Sequence, residues 1–238
     1  MKMLKSGMAA FAAAAMWVGV AQAQEPIRIG FAVAESGWMN AYDGPPLKAA
    51  LLKIEEINAA GGLLGRKIET VIADTKTERE QAAKAGTELV QKGVDLLVIS
   101  ADYDFGAPAG LAAQRAGLPA FSLGAADPKM GVQGVGNLVF TANGAAQVEG
   151  IDMAEWAFKR KGIRNPYVLE DQSIEYSKSG CAGFRSAWKK LSPDHPIAGS
   201  DVFKNDDPSI AAQITRIKST SPAPDAIYMC SFTPGGAS

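Results

Sequence analysis

The stretch from Glu55 to Lys67 limits the fold more than any other part of the sequence. Leu47, Leu51, Ile54 and Ile57 fall three or four residues apart, so they share one face of an amphipathic helix. Asn58 and the Gly61-Gly62 pair suit the end of that helix, where one residue takes positive φ without Cβ strain. Gly65 permits a second tight bend, and Ile68 to Asp74 then reads as a strand. A helix-to-strand joint this compact fixes how the first βαβ unit packs.

The same rhythm continues along the chain. Ile27 to Val33 reads as the first strand, and Asp43, Gly44 and Pro45 as the opening of the first helix. Thr77 and Glu80 have capping-box spacing for a helix to about Lys92, which Gly93 ends. Val94 to Ser100 is a continuous apolar run of the kind buried on both faces of a sheet. A helix from about Gly106 to Ala116, a strand from Leu118 to Ser122 and a short strand near Leu138 to Thr141 follow. Three further helices are expected from about Ala145 to Lys161, Ser177 to Leu191 and Pro208 to Ser219. They alternate with strands at Tyr167 to Glu170, Ile197 to Phe203 and Ala226 to Phe232. The pattern predicts an α/β protein of two doubly wound parallel-sheet lobes with helices on both faces and a cleft between the lobes. The boundary is expected near Asn143, giving residues 24–143 and 144–238.

At the N-terminus, Lys2 and Lys5 precede an apolar run from about Met8 to Val20 and then Ala21-Gln22-Ala23. This is the order of a secretory signal, residues 1–23, cleaved after Ala23. The run is short for a membrane span, and no cysteine follows the cleavage point as a lipoprotein would need. Cleavage moves the formal net charge from −1 to −3. A weakly acidic chain without basic runs gives no reason to expect nucleic acid or an anionic membrane as partner.

Catalytic signatures are missing. The first strand is followed by Glu35-Ser36-Gly37-Trp38-Met39-Asn40, which lacks the GxGxxG of a dinucleotide fold. The sequence contains neither GxxxxGK[ST] nor GxSxG, and its single histidine, His195, sits in a Pro/Asp-rich loop. Asp102 and Asp104 are paired acids without a nucleophile or base beside them. No enzyme activity, no cofactor and no metal site is expected. Cys181 and Cys230 lie in the last quarter of the chain. An oxidising compartment permits a disulfide, but their Cα separation is not legible in sequence, and two buried small apolar residues are the reading preferred.

Open α/β sheets bind ligands at the carboxyl ends of their strands. Those edges collect Trp38, then Asp102, Tyr103, Asp104 and Phe105, then Ser122, Gly124 and Ala126, and in the second unit Tyr176 and Phe232. These ten are the candidate ligand-binding residues, although about half of the aromatic ones are expected simply to cap the core.

Four stretches carry a family likeness: Ile57 to Arg66, Asp74 at its strand end, Gly117-Leu118-Pro119 before the strand ending at Ser122, and the loop Asp171 to Tyr176. Through them the chain resembles periplasmic substrate-binding proteins of ABC importers, in the branched-chain amino acid (Leu/Ile/Val-binding) family with the type I fold. The resemblance implies a periplasmic monomer whose two lobes close over a small molecule and dock on a membrane permease. It also implies that the loop at Tyr103, Asp104 and Phe105 stands where the family's hydroxyl-rich loop holds a ligand carboxylate. Gly124 to Ala126 stands where amino-acid binders carry a threonine, and Tyr176 where the second lobe lays a tyrosine over the ligand. Two hydroxyl sites are thus lost and two carboxylates gained, which disfavours an anionic group there. The expected ligand is amino-acid-like, an amide or an aromatic compound, with an apolar body and donors facing Asp102 or Asp104.

The likeness further implies that the sequence stops, at Pro234 to Ser238, about where the chain would return to the first lobe. A first lobe incomplete at its C-terminal side, poorly stable and weakly binding alone, is expected. A ligand-sensing receptor of the same fold is the alternative function; a secreted α/β enzyme is disfavoured by the missing signatures.

Overall fold

A computed structural model describes residues 24–232. The signal segment expected over 1–23 and the terminal residues after Phe232 lie outside the described residues. Within them, β1 (Ile27–Val33), α1 (Asn40–Ala59), β2 (Ile68–Asp74), α2 (Arg79–Gln91), β3 (Leu96–Ile99), α3 (Tyr103–Arg115), β4 (Ala120–Ser122) and β5 (Val139–Thr141) form the first unit. The second unit holds α4 (Ala146–Arg160), β6 (Pro166–Asp171), α5 (Glu175–Leu191), β7 (Gly199–Phe203), α6 (Ala211–Ser219) and β8 (Ala226–Cys230). The first sheet runs β2-β1-β3-β4-β5 and the second β7-β6-β8, with every pairing parallel.

The glycines of the Glu55 to Lys67 joint behave as the sequence predicts. Gly61, Gly62 and Gly65 all take positive φ, and the Gly62 N–H donates to Ile57 O at 2.8 Å. A Cβ on Gly62 would lie 2.1 Å from Arg66 O, so only glycine fits. Asn58 does not cap the helix. Its amide instead brackets Ile68, donating to that carbonyl and accepting from that N–H, each at 2.8 Å. Arg66 donates to Glu25 O and Pro26 O, which ties the start of β1 to the start of β2.

Leu47, Leu51 and Ile54 pack on Phe31 and Val33 on one face of the first sheet. On the other face, α2 and α3 close a core that includes Leu89, Leu97, Ile99, Ala109 and Val139. In the second unit α4 and α5 cover one face through Val168, Phe184 and Trp188. The expected two-sided cover is incomplete among the described residues. Phe121 and Phe140 stack at 5.3 Å yet each stays 46% exposed, and Ile227 and Met229 are exposed on β8.

Three local expectations are corrected. The first helix begins at Asn40, so Pro45 and Pro46 lie inside it and Asp43 is buried instead of capping. Pro45 and Pro46 lack the N–H groups that would reach the carbonyls of Ala41 and Tyr42, so the helix loses two bonds in its second turn. Thr77 makes no capping box. It has φ +60 and donates through Oγ1 to Ser36 O. Cys181 and Cys230, read as reduced, form a disulfide with Cα atoms 5.7 Å apart, because α5 crosses the end of β8 at that point.

Candidate functional site

In each sheet one early strand sits between its two successors, β1 between β2 and β3, and β6 between β7 and β8. Chain segments leaving the carboxyl ends of those neighbours part to opposite sides and leave a crevice. The two crevices share one cavity of about 520 Å³. Trp38, Met39 and Tyr42 line it from the segment after β1, Ala101 and Asp102 from after β3, and Gly124 and Ala126 from after β4. The second unit adds Asn143 and Glu149 at the crossing and on α4. Ile174 and Tyr176 come from after β6, and Ser231 and Phe232 from after β8.

Buried carboxylates fix these loops. Asp43, fully buried, accepts from Ala34 N and Ala101 N at 2.8 Å and from Ser100 Oγ at 3.2 Å. It thereby holds the ends of β1 and β3 in register with α1, and burial pushes its carboxyl above the usual range against those hydrogen bonds. Asp74 accepts from Glu35 N, Ser36 Oγ and Lys76 N, setting the path of the loop that carries Trp38. Burial works to raise the Asp74 carboxyl, but these hydrogen bonds outweigh it and hold it low. In the second unit Asp171 accepts from Ser173 N and Ser231 Oγ, tying together the two segments that line the cavity. The disulfide lies one residue before Ser231.

Beneath the cavity lies a small apolar cluster drawn from both units: Ala34, Met39 and Phe105 with Ile174 and Phe232. Trp38 lies across it, 4.7 Å from the Phe232 ring and 5.4 Å from Phe105. On the opposite wall Tyr176 Oη donates to Glu149 Oε2 at 2.8 Å. Their helices can approach because Gly150 and Gly183 lack side chains: a Cβ there would lie 2.0 Å from Gly180 O and 2.1 Å from Gln147 O. Burial and the Glu149 bond push the Tyr176 hydroxyl upward, so it stays a donor.

Of the residues singled out from sequence, Trp38, Asp102, Gly124, Ala126, Tyr176 and Phe232 line the cavity. Tyr103, Asp104, Phe105 and Ser122 do not. Tyr103 packs on the core of the first unit with Lys129 over its ring. Phe105 lies beneath Trp38 and Arg79. Ser122 Oγ donates to Ser100 O and accepts from Ala125 N, so it shapes the β4 loop from within. Asp104 faces the other unit. It accepts from Arg79 Nη2 and from Glu175 N, both at 2.8 Å.

Around Asp104 the two units are latched by polar contacts. Arg79 also donates to Ser173 O at 3.1 Å, Lys129 pairs with Glu175 at 2.5 Å, and Ser179 bonds Asp127. The Lys129 hydrogen bond, then that from Lys178, holds the Glu175 carboxyl low. Asp102 behaves differently although only two residues away. It caps α3 by accepting from Asp104 N at 2.8 Å and is 5% exposed. Burial, then the charge of Asp104, pushes its carboxyl up to about 7. Sequence reasoning missed Glu149, Tyr42 and Asn143 at the cavity and Asp43 behind it. Glu149 had one visible signal, an acid in the first turn of a helix that starts at the crossing between units. Among the described residues no group of three or more acidic, histidine or cysteine side chains could hold a metal ion.

Parallel sheets whose switch points share a cavity define the two-lobed binding-protein class. The profile of the periplasmic binding protein family matches residues 26–238, and the chain belongs to that family. It is 26% identical over 221 residues to Leu/Ile/Val-binding protein homolog 3 of Brucella melitensis, covering 92% of this chain and 57% of that protein. It thus spans a little over half the length of that relative. Among solved structures it is similar to the branched-chain amino acid transporter substrate-binding protein LivJ of Streptococcus pneumoniae in complex with isoleucine. That match has 29% identity and a TM-score of 0.75 over 86% of this chain and 56% of the other. A solute-binding protein of Rhodopseudomonas palustris in complex with 3,4-dihydroxybenzoic acid shares the fold at 19% identity and TM-score 0.70. It covers 86% of this chain and 54% of its own.

Proposed function

We propose that this chain is the ligand-capturing part of an extracytoplasmic solute-binding protein. It would deliver a small molecule to the permease of an ABC importer in the inner membrane, acting in the periplasm as a monomer and without chemistry of its own. The observation that carries this reading is the cavity whose walls come from both units in comparable measure. A molecule that touches both lobes binds the closed arrangement better than the open one, and that difference is all that closure requires. A permease that recognises both lobes would then engage the loaded protein selectively. Trp38, Tyr176 and Phe232 would enclose an apolar body, while Asp102 supplies a polar contact and Gly124 and Ala126 leave room beside it.

Native mass spectrometry of protein purified from its own periplasm tests the reading. A retained small molecule that dissociates on denaturation is expected, together with loss of its uptake when the gene is deleted. Protein that carries nothing from the periplasm, in cells whose uptake is unaffected by the deletion, would overturn it.

A further inference from the structure

The polar groups around the cavity are one-sided. None of its lining residues is lysine or arginine, whereas two carry carboxyl groups, Asp102 and Glu149. Three of the side-chain donors already have acceptors, and the indole N–H of Trp38 is a further, neutral donor. Tyr176 Oη donates to Glu149, Ser231 Oγ to Asp171 at 3.0 Å, and Asn143 Nδ2 to Gly124 O at 2.9 Å.

Helix N-termini would be the usual alternative for holding an anion, through free N–H groups and the positive end of the dipole. Here the helices that start beside the cavity are partnered from within. At α1, Asn40 N, Ala41 N and Tyr42 N donate to Gly37 O, Trp38 O and Met39 O, and at α4, Ala146 N and Val148 N donate to Ala126 O and Ala145 O. Asp102 Oδ1 accepts from Asp104 N at the start of α3, and Asp104 Oδ2 accepts from Glu175 N at the start of α5. The nearby cations, Arg79, Lys129 and Lys178, are outside the wall and paired with Asp104 or Glu175. What the wall offers is mostly carboxyl oxygen and aromatic ring, with one neutral indole N–H. Four rings line it, Trp38, Tyr42, Tyr176 and Phe232, and ring faces attract cations.

Resting on the reading of this cavity as the ligand site, we propose that its ligand is a protonated organic amine with an aromatic or branched apolar body. The ammonium is held by the carboxylates of Asp102 and Glu149 and by the aromatic walls. An amino acid would bring the same ammonium, but its carboxylate would enter a space with no cationic side chain to receive it and two carboxyl groups nearby. Specificity against amino acids therefore comes from what the wall refuses as much as from what it attracts.

Calorimetric titration with matched head groups on two bodies tests this. The probes are 2-phenylethylamine, 3-phenylpropanamide, 3-phenylpropanoate and phenylalanine, with isopentylamine, 4-methylpentanamide, 4-methylpentanoate and leucine as the branched set. The amine should bind tightest in at least one set, about tenfold or more above the neutral amide, with the carboxylate weakest. Asp102→Asn and Glu149→Gln keep the cap of α3 and the acceptor for Tyr176. Each should weaken the amine by about tenfold and leave the amide nearly unchanged.

Proton linkage supplies a second readout. Pairing with a cation favours ionised Asp102, so amine affinity should rise as pH increases through about 7. The charged groups acting on that carboxyl are Asp104 on its own helix and Arg79 on α2, and Glu149, Tyr42 and Tyr176 share its cavity. Tightest binding by a carboxylate or an amino acid, or unaltered amine affinity in both variants, overturns the inference and leaves the ligand-site reading standing. Absence of binding by every probe, with no molecule carried from the periplasm, removes that reading and the inference with it.

Discussion

Asp102 and Asp104 leave the same turn of chain and do opposite work. Asp104 is 14% exposed in its side chain and meets Arg79 and the start of α5, so its charge joins the two lobes at the rim. Asp102 is turned inward with no cation in contact, and its charged form is disfavoured there. The rim latch and the cavity wall therefore differ in what they can contribute. The latch pairs charges near solvent, where each pair is worth little and salt weakens it. The wall holds carboxyl and aromatic groups out of water, where each polar atom needs a partner and a ligand can supply it. On the reading proposed above, a helix start that faces a cleft divides its acids between joining the lobes and meeting a ligand.

The wall rests on deep supports, and removing those should produce the largest effects. Replacing both cysteines by alanine frees α5 from β8 across a 49-residue separation. The loss should be about 4 kcal/mol in equilibrium urea unfolding. Hydrogen exchange should locate it: amides of β8 and α5 lose protection while those of α2 and α3 keep theirs. An equal loss of protection at both ends would break the distinction between wall and latch. Asp43→Ala comes next, because Ala34 N and Ala101 N lose their buried acceptor. A destabilisation of about 2–4 kcal/mol is expected by denaturant titration. Asp43→Asn retains one acceptor oxygen and should lose less.

How far this was legible beforehand depends on the kind of information. Alternation of apolar runs and helices is a local signal, so each β-strand and α-helix of the described residues was found, with boundaries shifted by a few residues, while the short 3-10 turn at Pro128–Met130 was not. The Gly61 to Gly65 joint was legible because positive φ leaves almost no alternative to glycine. Asp43 was misread since an acid before Gly-Pro is a common helix opening; that it sits inside the first turns and reaches β3 depends on contacts 57 and 58 residues away. The site was half legible for the same reason. Strand-end loops could be named, but side chains two residues apart on one loop point to different places, and sequence spacing does not say which of Asp102 and Asp104 faces the cavity. The disulfide depended on a distance that only the packing of α5 on β8 sets.

Asp102→Asn sharpens the contrast through pH. In the folded protein burial holds the carboxyl at about 7, and in the unfolded chain it returns to the ordinary aspartate value of 3.8. Between those values the folded state holds a proton that the unfolded state has released, so stability from this group is present at low pH and falls as pH rises through the window. Asparagine is neutral throughout and still caps α3. The variant should therefore be more stable than the parent at pH 8, by up to about 4 kcal/mol, and the difference should vanish below about pH 4. Thermal melts across that range read it directly. A gap that is independent of pH would mean that Asp102 is solvated and that the wall is no different from the rim.

The smallest stability effect is expected at the latch. Arg79 is 54% exposed at its side chain, so Arg79→Ala should change unfolding free energy by less than about 1 kcal/mol. Its consequence should appear in the geometry between lobes instead. Loss of the Arg79 contacts to Asp104 and Ser173 removes two links that exist only when the lobes are together. A ligand that binds the closed arrangement then has to supply the difference, and its affinity falls by the same factor as the closed population. Spin labels on exposed positions of α2 and α6 should show a longer mean distance in the variant, restored by added ligand. Raising salt should move the parent toward the variant and change the variant less, through the remaining Lys129–Glu175 pair. If Arg79→Ala leaves both the distance and the affinity unaltered, the rim contacts are ordinary surface pairs and closure depends on the wall alone.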